Sequence, residues 1–411
     1  MSAVRKPSSA STPEIRERLA ALQALVRDML ATVPGVAGSR PVDIVAALGL
    51  DLKLAWKVAR IAQSGDPFAC VRHLPGATGW RIVLDAARKA GAATAAITAA
   101  DAAFERALAD GVAWAGDRKA FEMMAADLAR GSDLRIDVEH RRQLYLGGSY
   151  VWGVRARLAI RADIIGPAPR GKHLDCATIR GFVDVERLRS DAPWLLEAPF
   201  VVDDRGTKPV PTRLVPLDPD ADRAAAAPHI LQEFSTDPLP TLRPPAVKRP
   251  TRSLELAEGG VGSEGRFTVF QGSLLRGIQP VRTSKRHHGI FQLSKHRTPV
   301  ERSVFDLIVH ESLVGPKAQP EAILYSDLNS TPSTFLHEST DRIPAGLAVD
   351  ALGSGVRRAK LDGFARYGEL LEHAFAALGW SPSEFHLFRV EAPYPPVPST
   401  LSFELPLEED T

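Results

Sequence analysis

The side chains in this sequence that could do chemistry are scattered, and their spacing restricts what they can do. Three histidines, His287, His288 and His296, lie within SKRHHGIFQLSKH. A closed zinc site needs four converging ligands, whereas adjacent histidines on a strand point to opposite sides and neither cysteine lies near. The stretch therefore reads as a cationic loop. His310 and Glu311 lack the second histidine of H-E-x-x-H, because position 314 is Val314. Asp203, Asp204, Asp218, Asp220 and Asp222 fall in polar, proline-bearing segments and read as solvated loop acids rather than metal ligands or catalysts. Gly259 to Gly265 contains G-x-G-x-x-G, but it precedes the strand-like RFTVF; a dinucleotide fingerprint must open a helix whose N-terminus holds the pyrophosphate, so this is a flexible loop. No phosphate-cradling G-x-x-x-x-G-K-[ST] occurs. The sequence thus offers no catalytic set, metal site or cofactor site.

Cations are the remaining candidates. Lys53, Lys57 and Arg60 recur at i, i+4 and i+7, which places them on one side of a helix, and Trp56 borders them. Net charge is only +2, from 51 basic and 49 acidic residues. Between Ser39 and Ala90, however, eight basic residues face four acidic ones, so any electrostatic footprint is local. A second row, Arg155, Arg157 and Arg161, alternates with apolar residues and admits three readings: a solvated sheet face, an anion-binding surface or a further phosphate-contacting patch. The solvated face is the default.

The elements that must position the first row are legible locally. Pro41 suits a first helical turn, Ile44, Val45 and Leu48 supply an apolar side, and Gly49 permits the positive φ of a helix end. Asp51 then caps a second helix from Leu52 to about Ile61, whose buried face would carry Leu54, Ala55, Val58 and Ile61. Over these twenty residues the chain resembles the helix-turn-helix of bacterial transcription regulators, matching it at Ile44, Leu48, Gly49, Leu50 and Val58. It departs where that motif has a small residue (Val45) and a branched one (Ala55). The resemblance implies double-stranded DNA as partner, with Asp51, Leu52, Lys53, Trp56, Lys57 and Arg60 at the contact, and a homodimer reading two half-sites. The alternative is an ordinary helical hairpin with a solvated basic face.

Around this element, residues 1–12 are expected to be disordered and 13–131 to form a helical domain. Its helices begin after Ser11, at Pro41, after Asp51, after Asp66-Pro67, at Trp80, at Ala99 to Asp110 and at Arg118 to Arg130. From about Leu134 the period changes. Tyr150, Trp152, Val154, Ala156, Leu158 and Ile160 alternate with polar positions, predicting a strand bounded by Gly147-Gly148 and Gly166-Pro167. Residues 134–204 are thus read as sheet-rich, 205–250 as a proline-rich connector marking a boundary, and 251–411 as an α+β segment, possibly one domain with 134–204. Strands are expected at Ala177 to Val185, Phe200 to Asp203, Arg266 to Gln271, Gly289 to Leu293, Ser303 to His310 and Glu321 to Ser326, and a helix through Phe364 to Phe375 that ends near Gly379. The fold class is α+β: an all-helical domain, then a larger mixed, sheet-rich one.

With well-separated Cys70 and Cys176 read as reduced thiols, and no apolar run of membrane-spanning length, the expected location is cytoplasmic, with no membrane partner. Such a layout suggests a transcription regulator whose second part senses an effector, dimerises, or both. A small anionic effector would be oriented by Arg155, Arg157 and Arg161 among the aromatics Tyr150, Trp152, Phe267, Phe270, Phe291 and Phe305. The rival readings are a cytosolic enzyme or small-molecule-binding protein with structural N-terminal helices, and a phage- or defence-related DNA-binding protein.

Overall fold

The computed structural model describes residues 10–36, 40–129, 136–169, 173–202, 209–210, 212–218, 228–247, 249, 251–280, 289–315, 319–328, 339–357 and 359–406. The chain divides into two compact units, Met1–Ile136 and Asp137–Thr411. Together they are α+β, helical first and sheet-rich after.

The first unit contains α1 (Thr12–Ala31), α2 (Pro41–Leu48), α3 (Leu52–Gln63), a 3-10 turn at Pro67–His73, α4 (Ala77–Lys89), α5 (Thr94–Ala115) and α6 (Arg118–Leu128). Most local signals act as read, but α5, expected at Ala99 to Asp110, runs from Thr94 to Ala115 through buried Gly111. The Glu14 carboxylate accepts a hydrogen bond from the Ser11 N–H at 2.6 Å, closing the first turn of α1. Ile15, Leu19, Leu22, Val26 and Met29 then form a buried stripe of helical period. That stripe meets Ile44, Val58, Ile61 and Phe104 in one core. Only the turn after Asp66 differs in kind, being 3-10 rather than α.

The second unit opens with α7 (Ile136–Trp152) and carries strands β1 (Val154–Pro167), β2 (His173–Arg187), β3 (Leu195–Glu197), β4 (Val201–Val202), β5 (Pro209–Val210), β6 (Leu214–Pro216), β7 (Leu242–Arg243), β8 (Ser253–Leu256), β9 (Phe267–Pro280), β10 (Gly289–His296), β11 (Val300–His310), β12 (Glu321–Ser326), β13 (Arg342–Ile343) and β14 (Val349–Ser354). Helix α8 (Tyr367–Leu378) and strands β15 (Phe385–Pro393) and β16 (Ser399–Pro406) complete it. A seven-stranded sheet in the order β14-β15-β11-β1-β2-β9-β6 is its frame. Strands β1 and β11 pair in parallel at the centre, and every other pair in that sheet is antiparallel.

One side of this sheet packs Leu158, Ile160, Ile179, Phe270 and Val304 against Leu370, Leu371 and Phe375 of α8. The other side meets the four-stranded sheet β10-β16-β12-β13 through Phe305, Leu307, Val390, Leu401 and Phe403, and the three-stranded sheet β3-β8-β7 through Val154, Ala156, Trp194 and Leu196. Buried Asp306 on β11 fastens α8 down. It accepts hydrogen bonds from Arg389 Nε and Nη2, both at 2.7 Å, and from the Tyr367 hydroxyl at 2.6 Å.

Two expectations are corrected. Tyr150 and Trp152 are not strand residues: they end α7, and Gly147-Gly148 lies inside that helix. Arg141, Tyr145 and Ser149, spaced by four, form its buried stripe, and Arg141 donates to the Pro393 carbonyl oxygen at 2.9 Å. This anchoring outweighs the glycines' poor helix propensity, and the break falls instead at Gly153, whose φ is +70°. Residues 205–250 are no boundary, since β6 and β7 from this stretch join sheets whose other strands flank it. Proline donates no ladder hydrogen bond, so β6, ending in Pro216, pairs only at the edge of the large sheet. The segments 134–204 and 251–411 therefore share one sheet. The expected disorder of residues 1–12 falls, for residues 1–9, outside the described residues, as do Asp203, Asp204, Asp220 and Asp222.

Candidate functional sites

Within the first unit, α2 and α3 are joined by Gly49 at φ +62°, and the Asp51 side chain accepts from the Leu54 N–H at 2.9 Å. Asp51 is thus an N-cap that sets the start of α3. Ala55, Val58, Ala59, Ile61 and Ala62 face the core. Leu52 and Trp56 stand 63% and 42% exposed, with Lys53 and Arg60 also exposed and Lys57 half-buried. Among the described residues these three cations have no carboxylate partner. The Arg60 guanidinium lies 5.2 Å from the Trp56 ring centroid, and the edge of His73 meets that same ring at 4.9 Å.

His73 reports the local field. Burial foremost, then the charges of Arg72, Arg60 and Lys57, push its pKa down to about 4, so the imidazole is neutral at pH 7. Arg72, from the 3-10 turn, thereby joins the basic surface of α3. Its sequence trace was only its share of the regional charge excess, because no helical period connects it to Lys57.

In the second unit a cavity of about 960 Å³ is walled by β1, β2, β9, β10 and the β3 segment. Strand register fixes its polar floor: Arg161 on β1 stands directly opposite Arg180 on β2, which stands opposite Gln271 on β9. Arg161 is saturated. It binds Asp163 Oδ2 through Nε at 2.8 Å and Nη2 at 2.5 Å, donates to the Leu293 carbonyl oxygen and to Gln292 Oε1, and lies over the Phe305 ring. Arg180 has no hydrogen bond or ion pair among the described residues, and its Nε is buried. The side chain keeps some accessible surface because it faces the cavity, yet burial, and next the neighbouring Arg161, bring its pKa down to about 9. Gln271 gives Nε2 to the Glu197 carbonyl oxygen at 2.7 Å, leaving Oε1 buried and unbonded. Trp152, Phe182, Trp194 and Phe200 supply aromatic wall.

Of the arginine row read from the sequence, only Arg161 reaches this cavity. Arg155 is held by Glu186, and Arg157 by Asp184 at 2.6 Å and by the Gly363 carbonyl oxygen at 2.7 Å. Val154 and Ala156 pack with Trp194 whereas Leu158 and Ile160 pack with α8, so the strict alternation expected along β1 changes sides between them. Asp184, opposite that point, has φ +55°, and the β2–β9 register slips there. Of the expected aromatics, Trp152 lines the cavity. Tyr150 is 71% exposed, Phe267, Phe270 and Phe305 belong to three different core clusters, and the Phe291 side chain lies outside the described residues.

His296 overturns the cationic-loop reading for its part. It ends β10, is buried, and burial holds its pKa down at about 4. Its ring nitrogens lie 2.9 Å from Ser303 Oγ and 3.1 Å from Ser399 Oγ, and both His296 and Ser303 line the cavity. His287 and His288 lie outside the described residues. The glycine loop at 259–265 runs into β9, as expected of a loop, but it is self-packed, with Gly265 close against the Gly260 backbone. Cys70 and Cys176 are both free and buried. No group of histidine, cysteine and acidic side chains able to hold a metal occurs among the described residues, and none of their helices is long and apolar enough to cross a membrane. Neither a protein-family model nor a curated protein matches the chain, so the chemistry of both sites rests on these residues themselves.

Proposed function

We propose that the chain is a DNA-binding transcription regulator that reads duplex DNA with α3 and senses a ligand, dimerises, or both through its sheet-rich unit. The observation that carries this reading is the face of α3: Lys53, Lys57 and Arg60 lie without carboxylate partners among the described residues beside exposed Leu52 and Trp56, on a helix joined to α2 by a left-handed glycine. Such a face offers cations to phosphates and apolar groups to thymine methyls or sugars. Solvent alone does not require Arg72, Arg60 and Lys57 to collect beside a neutral, buried histidine. The test is a fluorescence-anisotropy titration of the full chain against random genomic duplex fragments at two salt concentrations. Affinity that falls steeply with salt is expected, and affinity that is absent at low salt refutes the reading.

A second reading, an acyl-transfer enzyme, is favoured by one observation, the Ser303–His296 pair on the cavity wall. A neutral imidazole within hydrogen-bond reach of a hydroxyl is the arrangement of an activated serine. The regulator reading is preferred because the other ring nitrogen meets the Ser399 hydroxyl rather than a carboxylate that would stabilise an imidazolium. Labelling of Ser303 by a fluorophosphonate, lost in Ser303→Ala, would reverse that preference.

A further inference from the structure

Two guanidinium groups directly opposite each other on neighbouring strands destabilise a sheet unless their charge is compensated. Here Arg161 is neutralised by Asp163, and Arg180 is not neutralised by any described residue. Arg180 stands on a cavity floor with its Nε buried and unbonded and makes no ion pair among the described residues, although Asp163 and Glu197 offset part of its charge.

We propose that this cavity binds an organic monoanion, a carboxylate on an apolar body, with Arg180 clamping the head group. Size fits first: about 960 Å³ lies at the upper end of the ~300–1,000 Å³ typical of sites for drug-sized molecules. Charge fits next. With Arg161 paired to Asp163, Arg180 is the floor cation without an ion pair among the described residues; Lys295, Arg249 and Glu404 also line the cavity, while Glu197 and Glu321 are engaged by Arg297 and Arg342. A planar carboxylate accepts the two parallel N–H donors of one guanidinium, and its apolar body matches an aromatic wall that inorganic phosphate would leave unfilled. Trp194, Phe182, Leu196 and Ile290 provide wall for an apolar body. Gln271 Oε1, across the strand pair from Arg180, is an acceptor for a hydroxyl or amide N–H beside the carboxylate. This inference deepens the sensing half of the proposed function. Its test contains no DNA, so its failure and that of the DNA reading are separable.

The test is calorimetric titration of the full chain with 2-naphthoate and decanoate, with neutral 2-naphthol and inorganic phosphate as controls, together with thermal melts of wild type, Arg180→Met and Arg180→Gln. Saturable binding of a carboxylate is expected, at least about tenfold tighter than 2-naphthol, with phosphate failing to compete. In both variants the carboxylate-induced rise in melting temperature should vanish, while the ligand-free melting temperature stays level or rises because an uncompensated buried cation has been removed. The proposal is overturned by equal binding of naphthoate and naphthol, by effective competition from phosphate, by carboxylate binding that survives in either variant, or by no saturable binding at millimolar concentration. A ligand-free melting temperature several degrees below wild type in both variants would mark Arg180 as a structural residue and overturn it equally. The comparison of charged and neutral probes on wild type stands even if a variant fails to fold.

Discussion

Replacing Lys57 and Arg60 together by alanine separates a DNA-reading face from a merely solvated one. Each phosphate contact contributes about 0.9 to the slope of log affinity against log salt, so losing two should make the slope shallower by about 1.8. Taken from 1 M down to about 0.15 M salt, that difference is a loss of roughly thirty-fold in affinity, or about 2 kcal/mol. The fold should hardly register the change. Arg60 is exposed, and its stacking on Trp56 is worth about 0.5–1 kcal/mol, offset in part by the better helix propensity of alanine. Burial foremost holds the His73 pKa down, but removing two of the cations that add to it should let that pKa rise from about 4. The assay is anisotropy at 50, 100 and 200 mM salt, with a parallel thermal melt and histidine titration by NMR. Unchanged affinity and slope in a folded double variant would refute the argument. A melting temperature lowered by many degrees would show instead that these side chains hold α3 in place.

Other expectations follow from the same contacts. One helix-turn-helix reads few base pairs, so light scattering should give twice the 44.4 kDa chain mass, and a monomer mass with and without DNA would count against the dimer. Stability should fall on acidification: His296 and His73 have folded pKa values near 4, below the usual 6.5, so their contribution is intact above 6.5 and is lost as pH falls towards 4. Between pH 7 and 5, buried His296 alone accounts for about 2 kcal/mol of unfolding free energy. His296→Gln should flatten that dependence in urea melts, and an unchanged slope would contradict it. Asp306→Asn strands the buried Arg389 cation and should cost about 3–5 kcal/mol, whereas Tyr367→Phe removes one hydrogen bond and should cost about 1–1.5 kcal/mol. Equal losses from the two would mean that the stranded Arg389 cation is not what makes Asp306 costly to replace.

What was legible in the sequence is what a single helical turn decides. The Ser11–Glu14 reciprocity, the left-handed Gly49 and Gly379, the Asp51 cap and the apolar stripe of α1 each involve partners within a few residues, so their chemistry is written side by side in the chain. The exposed face of α3 followed from the same period. The sheet-rich unit answers to contacts that no local pattern carries. Helix α7 reads as a strand because its buried stripe contains an arginine and a serine, and the partner of Arg141 is a carbonyl 252 residues away. Arg161 was visible as one member of a row, but its separation from Arg155 and Arg157 comes from a change of side along β1. Arg180 carries no local signal in its strand; only the register of β1, β2 and β9 sets it against Arg161 and Gln271. Ser303 meets His296, seven residues earlier, because β10 and β11 belong to two sheets that pack face to face. Helix ends are settled by hydrogen bonds along the chain, whereas the cavity is made by cross-strand register, and register depends on which distant apolar faces must be buried together.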